Sequence, residues 1–400
     1  MIATFNPCSL HGKIDAPSSK SMAHRYLICA SLAKGVTTLY GISFNKDILA
    51  TIDCLRELGA KIEIDKDKAT VDSTGFMKAE NPVLECGESG STLRFFIPLA
   101  LCLGKKTLFK GNSRLFERPL SVYEELCREK GFTFDKGNDS LSVLGNLQGG
   151  RYEIRGDVSS QFISGMIFAL VYLGKSSEIQ ILPPVESKSY INLTISALQA
   201  FGADVELTEN NIIKVNPSEM KSLSCRIEGD YSGAAFLEAF NYIGSSVEVG
   251  NLRQDSLQGD RVYAQHFKSI NDGVPTVDIS DCPDLGPVLI ALAALKNGAV
   301  FTGTARLKDK ESDRGCAMQE ELSRLGGELI IENNRIIVQK RQLSYKGEAL
   351  KGHNDHRIVM AMSVILSQTG GSIDDAEAVS KSYPTFFDDI RVLGAKVELK

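Results

Sequence analysis

The sequence repeats one stretch, found as LRELGAKIEI at Leu55–Ile64, ALQAFGADVEL at Ala197–Leu207 and IRVLGAKVEL at Ile390–Leu399. Each copy has the character of a last helical turn, followed by a glycine and then by alternating apolar and polar residues. Glycine often ends a helix because it adopts the left-handed backbone conformation. Alternation is typical of a half-buried strand. The stretch therefore predicts a helix that turns directly into a strand, repeated along the chain.

A second recurrent feature is a short polar cluster that opens an apolar helix. The six clusters are Pro17–Ser21, Gly87–Ser91, Val158–Gln161, Gly229–Ser232, Asp281–Asp284 and Asn354–Arg357, and the predicted closing glycines are Gly35, Gly104, Gly174, Gly244, Gly298 and Gly370. Polar side chains at a helix start satisfy free backbone N–H groups, and the same end attracts anions. Several clusters carry Lys or Arg, which oppose the helix dipole unless an anion is bound. The clusters therefore indicate a substrate site.

Together the two features predict six units of helix, strand, helix and strand, with a further strand in each. The copies recur about every seventy residues, which suits compact α/β modules better than a thin solenoid. The spacing between the fourth and fifth clusters is shorter, and the copy around Gly273 is weak because Pro275 interrupts it. Six units group most simply as three plus three, which predicts two similar α/β domains. The alternative is a generic run of α/β elements with coincidental glycines.

Composition narrows the class of protein. A chain of 400 residues favours two or more domains, and it has no apolar run long enough to span a membrane. The net charge of −5 argues against a nucleic-acid partner. Nine cysteines, none in a Cys-x-x-Cys pair, favour reduced thiols. With no signal-peptide pattern at the N-terminus, we expect a cytoplasmic protein.

Cations, hydroxyls and two carboxylates gather near the predicted helix starts. On the first helix, Lys20, Ser21, His24 and Arg25 share one arc at about 100° per residue, which predicts an exposed cationic face. If such helix ends converge, the pocket would suit two polyanionic substrates. Asp284 and Glu311 would repel those ligands, so proton transfer is the role that explains them.

Two smaller sequence patterns concern a helix start and a pair of histidines. Arg118-Pro119 predicts a helix start, because proline suits the first helical position. His353 and His356 stand three residues apart without the carboxylates that would complete a metal site. A structural or anion-facing role is therefore favoured over zinc for these histidines.

The motifs resemble the signatures of the enolpyruvyl-shikimate-phosphate synthase family, the 3-phosphoshikimate 1-carboxyvinyltransferases. The matching segments are Pro17–Ser21 with Arg25, Ser159–Gln161, Lys310–Arg314 and Asn354–Arg357. The resemblance implies the enolpyruvyl transferase fold, an inside-out α/β barrel-like arrangement of two domains with three βαβαββ repeats each. Residues 1–18 plus 230–400 would form one domain and 19–229 the other, with the active site in the cleft between them.

The resemblance also implies a reaction of the shikimate pathway, which leads to chorismate and the aromatic amino acids. The enolpyruvyl (carboxyvinyl) group of phosphoenolpyruvate would move to the 5-hydroxyl of shikimate 3-phosphate, releasing phosphate through a tetrahedral intermediate. No metal or organic cofactor is implied. The expected partners are these two small molecules, and the expected state is a monomer.

Site residues follow from the matching positions. Catalysis would involve Asp284, Glu311 and Lys20. Shikimate 3-phosphate would contact Lys20, Ser21, Arg25, Ser159, Ser160, Gln161, Ser187, Asp284 and Lys310. Phosphoenolpyruvate would contact Lys20, Gly90, Arg94, Arg118, Gln161, Arg314, Arg357 and Lys381.

There are two alternatives to this function, a sister enzyme and a non-enzymatic binding protein. The sister enzyme that transfers enolpyruvyl to UDP-N-acetylglucosamine carries a cysteine shortly before an Arg-Pro, whereas Gly111–Pro119 contains none. A non-enzymatic two-domain anion-binding protein would explain the cations but would leave Asp284 and Glu311 without a purpose. The missing cysteine and the motif Ser159–Gln161 both favour the shikimate substrate.

Overall fold

The computed structural model describes residues 1–400, which form two compact units. The central unit comprises Ser18–Glu228, and the terminal unit comprises Met1–Pro17 together with Gly229–Lys400. Each unit encloses a hydrophobic core of its own. None of the helices has the length and apolar character needed to cross a bilayer.

The strands are short, as expected for small repeated modules. They are β1 (Ala3–Phe5), β2 (His11–Asp15), β3 (Val36–Tyr40), β4 (Lys61–Asp65), β5 (Lys68–Asp72), β6 (Val83–Glu85), β7 (Thr107–Lys110), β8 (Thr133–Lys136), β9 (Ser140–Leu144), β10 (Arg151–Arg155), β11 (Ser177–Leu182), β12 (Asp204–Leu207), β13 (Ile212–Asn216), β14 (Ser224–Arg226), β15 (Ser246–Gly250), β16 (Thr276–Asp278), β17 (Gly298–Thr302), β18 (Glu328–Glu332), β19 (Arg335–Gln339), β20 (Gly371–Ile373) and β21 (Val397–Leu399).

The helices alternate with these strands. They are α1 (Lys20–Leu32), α2 (Lys46–Glu57), α3 (Gly90–Cys102), α4 (Ser113–Glu117), α5 (Ser121–Lys130), α6 (Ser160–Leu173), α7 (Lys188–Ala200), α8 (Tyr231–Ala239), α9 (Tyr263–Asp272), α10 (Gly286–Leu295), α11 (Arg314–Arg324), α12 (His356–Thr369) and α13 (Phe386–Val392). Short 3-10 helices occupy Phe240–Ile243, Gly259–Val262, Pro283–Leu285, Ala305–Asp309 and Ala376–Lys381.

Three stretches of the chain form complete βαβαββ repeats with one sheet topology. The sheet orders are β6-β7-β9-β8, β10-β11-β13-β12 and β16-β17-β19-β18. In each sheet the first two strands are parallel, because a helix connects them, and the last two form an antiparallel hairpin. The repeated stretch Ala197–Leu207 lies where α7 passes into β12. The prediction of a helix that turns into a strand is confirmed there.

Two further repeats are completed by strands that lie far away in the sequence. In the central unit, β14 pairs in parallel with β3, placing Cys225 opposite Leu39. In the terminal unit, β1 inserts between β20 and β21, so that Thr4 faces Ser372 on one side and Glu398 on the other. In both units the missing strand thus comes from the opposite end of the unit's own sequence.

The remaining repeat, the fourth along the chain, is shortened. Strands β2 and β15 form a two-stranded parallel sheet, and α9 leads directly to β16 without an intervening hairpin. The missing hairpin explains the weak copy around Gly273 and the short spacing between the fourth and fifth clusters. The segment between α9 and β16 contains no hairpin, and Pro275 lies immediately before β16.

Side-chain caps hold the starts of the predicted helices. Ser19, Ser89, Ser159, Asp230 and Asp355 each accept a hydrogen bond from a backbone N–H of the helix that follows. Satisfying these otherwise unpaired donors stabilises a helix by about 1 kcal/mol per cap. Five of the six polar clusters therefore serve as caps, whereas Asp281–Asp284 provides no side-chain cap for the helices that follow it.

Three predicted helix boundaries are wrong. Gly35 does not end a helix, because α1 stops at Leu32 and Gly35 directly precedes β3. Gly298 does not end a helix but begins β17, since α10 stops at Leu295. Its backbone is left-handed (φ 86°), and a Cβ there would lie 2.5 Å from the Val338 carbonyl oxygen. Pro119 does not open a helix either, because α5 begins at Ser121.

Candidate active site

The terminal unit gathers acidic and basic side chains from three segments. Asp284 lies in the 3-10 turn before α10, Glu311 precedes α11, and Arg314 is the first residue of α11. Arg357 follows the N-cap of α12. Because each lies at or near a helix start, the repeated modules bring these charges together.

Three cations surround the Asp284 carboxylate. Arg314 Nη1 lies 2.9 Å and Lys310 Nζ 3.2 Å from Asp284 Oδ1, and Arg357 Nη2 lies 3.1 Å from Oδ2. Arg357 Nη1 also donates to the Asp284 backbone carbonyl. The carboxylate is one-fifth exposed, so it is held in place yet open to a ligand.

Arg314 forms ion pairs with both Asp284 and Glu311, the two carboxylates for which the sequence predicts proton transfer. Its side chain is 1% exposed. It donates from Nη2 to Glu311 Oε2 at 2.8 Å and from Nε to Asp355 Oδ2 at 2.9 Å, besides its contact with Asp284. Burial alone would lower the pKa of Arg314, but the carboxylates of Asp355, Glu311 and Asp284 raise it. The guanidinium therefore keeps its charge.

Asp355 is a functional candidate that sequence reasoning did not select. It caps α12 by accepting from Arg357 N, and it also accepts from Ser312 Oγ at 3.0 Å. Burial is the largest single effect and raises the pKa of Asp355, but the charge and hydrogen bonding of Arg314 and the charge of His356 together lower it below its ordinary value. The signal was present, since Asp355 lies inside the quoted segment Asn354–Arg357.

The Lys310 ammonium is easier to deprotonate than an ordinary lysine. Burial lowers its pKa to about 8; Asp284 opposes the shift, while Arg306 and Arg314 add to it. Near neutral pH Lys310 is therefore still charged but close to its titration range.

Asp260 is another buried carboxyl that the sequence did not reveal. Ser232 donates its hydroxyl hydrogen bond to Asp260 Oδ2. Burial, with the negative charge of Asp284 nearby, raises the pKa of Asp260 to about 7. Asp260 therefore adds a second titrating group to this cluster.

In the central unit, the predicted exposed face of α1 is wrong. His24 and Arg25 are only 1% and 2% exposed. Arg25 donates to Thr194 Oγ1 at 2.8 Å, to the Ser21 carbonyl at 2.7 Å and to the Tyr190 carbonyl at 3.0 Å. Thr194 and Tyr190 lie on α7, so the pattern of α1 alone could not reveal that the guanidinium is buried; burial lowers the pKa of Arg25 to about 10.

Neighbouring groups keep His24 neutral. Burial first, and then the charges of Lys20 and Arg25, lower its pKa well below the ordinary value. Its Nδ1 is 2.7 Å from Thr51 Oγ1. Lys20 itself forms an ion pair with Asp47 at 2.7 Å, and both side chains are mostly buried.

A hydrogen-bond network fixes the amide of Gln161. Arg94 Nη1 donates to Gln161 Oε1 at 2.7 Å, and Gln161 Nε2 donates to Ser91 Oγ at 2.9 Å. Arg94 Nη2 also donates to the Pro119 carbonyl at 3.0 Å. Helices α3 and α6 pack together, which brings Arg94 and Gln161 side by side.

Gly90 and Arg118 are brought into direct contact. A Cβ on Gly90 would lie 2.7 Å from Arg118 Nη1. The glycine therefore leaves room for a buried guanidinium at the start of α3, where backbone N–H groups also favour an anion.

The remaining predicted residues lie at helix ends. Ser159 and Ser160 start α6, and Ser187 precedes α7 with a left-handed backbone (φ 53°). All three are buried. Lys381 ends the 3-10 helix Ala376–Lys381 in the terminal unit and donates to the Asn354 carbonyl.

Comparisons with known proteins match the whole length of the chain. The family model described as EPSP synthase (3-phosphoshikimate 1-carboxyvinyltransferase) matches residues 6–390. Relatives named 3-phosphoshikimate 1-carboxyvinyltransferase are 38% identical in Clostridium kluyveri, covering 99% of this chain and 98% of the relative, and 38% identical in Clostridium botulinum, covering 97% and 96%. A solved EPSP synthase from Acinetobacter baumannii superposes with a TM-score of 0.80 at 24% identity, covering 99% of each chain.

Proposed function

Because the chain belongs to the EPSP synthase family, the 3-phosphoshikimate 1-carboxyvinyltransferases, we propose that its clustered cations and carboxylates carry out the family's enolpyruvyl transfer. The protein is a transferase of the shikimate pathway, and shikimate 3-phosphate is the acceptor. The predictions of family, enzyme class and two-domain α/β fold are confirmed.

The central unit is proposed to bind shikimate 3-phosphate. Ser21 and Arg25 would hold the carboxylate, while Ser159, Ser160 and Ser187 would hold the 3-phosphate. The hydroxyls lie at helix starts, where backbone N–H groups and the helix dipole favour an anion. Gln161 would lie against the ring, since its amide is already held by Arg94 and Ser91. Lys310 of the terminal unit would add a cation for the same ligand.

Phosphoenolpyruvate is proposed to use cations from both units. Its phosphate would contact Lys20, Gly90 and Arg118 of the central unit and Lys381 of the terminal unit. Arg314 and Arg357 would hold its carboxylate, because a planar guanidinium matches a carboxylate in a paired hydrogen-bond geometry. Arg94 would support this binding by fixing Gln161.

The chemistry is proposed as addition followed by elimination. Addition places a proton on the methylene carbon of phosphoenolpyruvate and removes one from the attacking 5-hydroxyl. Elimination then removes a proton from the new methyl group and breaks the bond between the carbon and the phosphate oxygen, so that phosphate leaves and takes up a proton. Asp284 would accept the hydroxyl proton, Glu311 would serve the methylene carbon, and Lys20 would act as a partner acid or base.

The single observation that carries this proposal is the bridge from Arg314 to both Asp284 and Glu311. One guanidinium holds two carboxylates at fixed positions beside Lys310 and Arg357. An anionic substrate that binds Arg357 or Lys310 would compete with Asp284 for those cations, leaving its carboxylate available as a base. Fixed cations would also stabilise the negative charge that develops along the path.

We also propose an oligomeric state and a cellular compartment. We propose that the enzyme acts as a monomer. All nine cysteines are free thiols, as expected in the reducing environment of the cytoplasm, and this supports a cytoplasmic location.

The test is a choice between acceptors. Phosphate release from phosphoenolpyruvate is measured with shikimate 3-phosphate, with UDP-N-acetylglucosamine and with neither acceptor. We expect release only with shikimate 3-phosphate. Release with the UDP-sugar instead would assign the chain to the sister reaction, and tight binding of both anions without release would favour the non-enzymatic alternative.

A further inference from the structure

The segment that leads into Asp355 has an unusual backbone. His353 and Asn354 are consecutive residues with left-handed conformations (φ 53° and 48°). Such conformations are uncommon outside glycine, although His and Asn adopt them more readily than most residues. Two in succession persist only where surrounding contacts hold them. We call Lys351–Asn354 the α12 approach loop.

The first of these contacts is Glu321, a fully buried residue of α11. Its Oε1 accepts a hydrogen bond from His353 Nε2 at 2.8 Å, and its Oε2 accepts one from the backbone N–H of Lys351 at 2.9 Å. The carboxylate thus spans the approach loop. Glu321 is not among the residues assigned to substrate binding. Its buried carboxylate instead holds the approach loop through these two hydrogen bonds.

The opposite side of the loop is held by two aspartates that follow β20. Asp374 Oδ1 accepts from Gly352 N at 2.7 Å, and Asp375 Oδ2 accepts from Asn354 N at 3.0 Å. A Cβ on Gly352 would lie 2.5 Å from the Asp374 carbonyl oxygen. The loop is therefore clamped between α11 and the segment after β20.

The loop in turn positions two proposed site groups. The carbonyl of Asn354 accepts a hydrogen bond from Lys381 Nζ. Asp355, the next residue, binds Arg314 through Nε at 2.9 Å. A shift of the loop would therefore move both the lysine proposed for the phosphate and the arginine proposed for the carboxylate of phosphoenolpyruvate.

We propose that Glu321 and His353 form a positioning pair for phosphoenolpyruvate, fixing the approach loop and through it Lys381 and Asp355. This inference rests on the proposed function. Neither residue touches the substrate in this scheme. Their effect is to hold groups that do.

The charges around His353 make this pair depend on pH. Glu321 and Glu320 of α11 face it, as does Lys351 of the loop; the hydrogen bond to Glu321 raises the pKa of His353 above 6.5, burial opposes this effect, and the two glutamates and Lys351 make smaller contributions. The charged pair is complete below pH 6.5 and is lost as the pH rises through the raised pKa.

The same acidic residues do not suggest a metal site. Arg324 lies 3.0 Å from Glu320 and 3.4 Å from Glu321, and Lys351 lies 3.2 Å from Glu320. These cations already balance the carboxylates and would repel a divalent ion. The cluster is best described as an ion-pair network around the loop.

The test uses two histidine variants that differ in reach. His353→Asn tolerates the left-handed backbone but is too short to reach Glu321, whereas His353→Gln keeps an N–H donor without a titrating group. We expect His353→Asn to raise the KM for phosphoenolpyruvate about tenfold, the size of one charge-assisted hydrogen bond, with a smaller change in kcat. We expect His353→Gln to restore most of the affinity.

The pH profile provides a readout that a purely structural role would not move. In the wild-type enzyme, kcat/KM for phosphoenolpyruvate should fall as the pH rises through the His353 pKa. This step should be absent in His353→Gln and in Glu321→Gln, a second variant without the negative charge, whose amide oxygen can still accept from the Lys351 N–H while its NH2 group can donate only to a neutral His353. Binding of shikimate 3-phosphate, measured by calorimetry, is the folding control and should not change.

Two results would overturn the inference. One is an unchanged KM in His353→Asn together with the wild-type pH profile in both glutamine variants. The other is a parallel loss of affinity for shikimate 3-phosphate, which would indicate general damage rather than positioning. Absence of transfer by the wild-type protein would instead reject the proposed function, so the two failures are distinguishable.

Discussion

Replacing Arg314 by glutamine should destabilise the terminal unit strongly. The substitution removes hydrogen bonds of 2.9 Å to Asp284, 2.8 Å to Glu311 and 2.9 Å to Asp355. Asp355 is fully buried, so its charge would lose its buried partner. Breaking a buried ion pair from one side costs about 3–5 kcal/mol, and we expect Arg314→Gln to lower the free energy of unfolding by that amount. Arg314→Lys keeps the positive charge but not the planar, forked guanidinium, so we expect an intermediate decrease in the free energy of unfolding.

The measurement is urea unfolding followed by far-ultraviolet circular dichroism, because the chain has no tryptophan. The matched control is Arg335→Gln, since Arg335 is half exposed and pairs with Glu332 at 3.3 Å in the same unit. The control should cost less than about 1 kcal/mol. A loss in Arg314→Gln no larger than that of the control, at an unchanged denaturant slope, would refute the reasoning.

The remaining predictions concern catalysis and binding. Glu311→Gln and Asp284→Asn should each lower kcat by about 10²–10⁴-fold, the usual value of a positioned acid or base, and near-normal rates would remove the residue from the chemistry. Arg25→Ala should weaken calorimetric binding of shikimate 3-phosphate by about tenfold or more; unchanged affinity would undo that assignment. Because the pKa of Lys310 is about 8, affinity for shikimate 3-phosphate should fall as the pH rises through that value, and Lys310→Arg, which stays charged, should show no such fall. The lowered pKa also means that charged Lys310 opposes folding below about pH 8, and that this penalty disappears as the pH rises toward 10.5, which denaturation at several pH values would detect.

The local structure of the repeats could be predicted from the sequence because their signals are local. A glycine after an apolar helix and an alternating strand beyond it describe Ala197–Leu207 well. The strand exchanges could not be predicted. The insertion of β1 beside Ser372 and Glu398 depends on pairing across nearly the whole chain, which leaves no mark in a short window.

The site shows the same limit. Motifs identified Arg314, Glu311 and Asp284, and the structure brings them together. The burial of Arg25 depends on acceptors in α7, 165 and 169 residues away, so the helical pattern of α1 predicted an exposed face instead. Polar partners from distant segments decide whether a cation is buried.

The most direct test of the proposed reaction is solvent isotope incorporation. The enzyme is incubated with phosphoenolpyruvate and shikimate 3-phosphate in D₂O, and the product is analysed by mass spectrometry while phosphate is quantified. Protonation of the methylene carbon gives a freely rotating methyl group, so its later deprotonation should leave deuterium in the vinyl group of the product, with one phosphate per product. A vinyl product formed without deuterium would contradict addition and elimination, and no product at all would contradict the transfer itself.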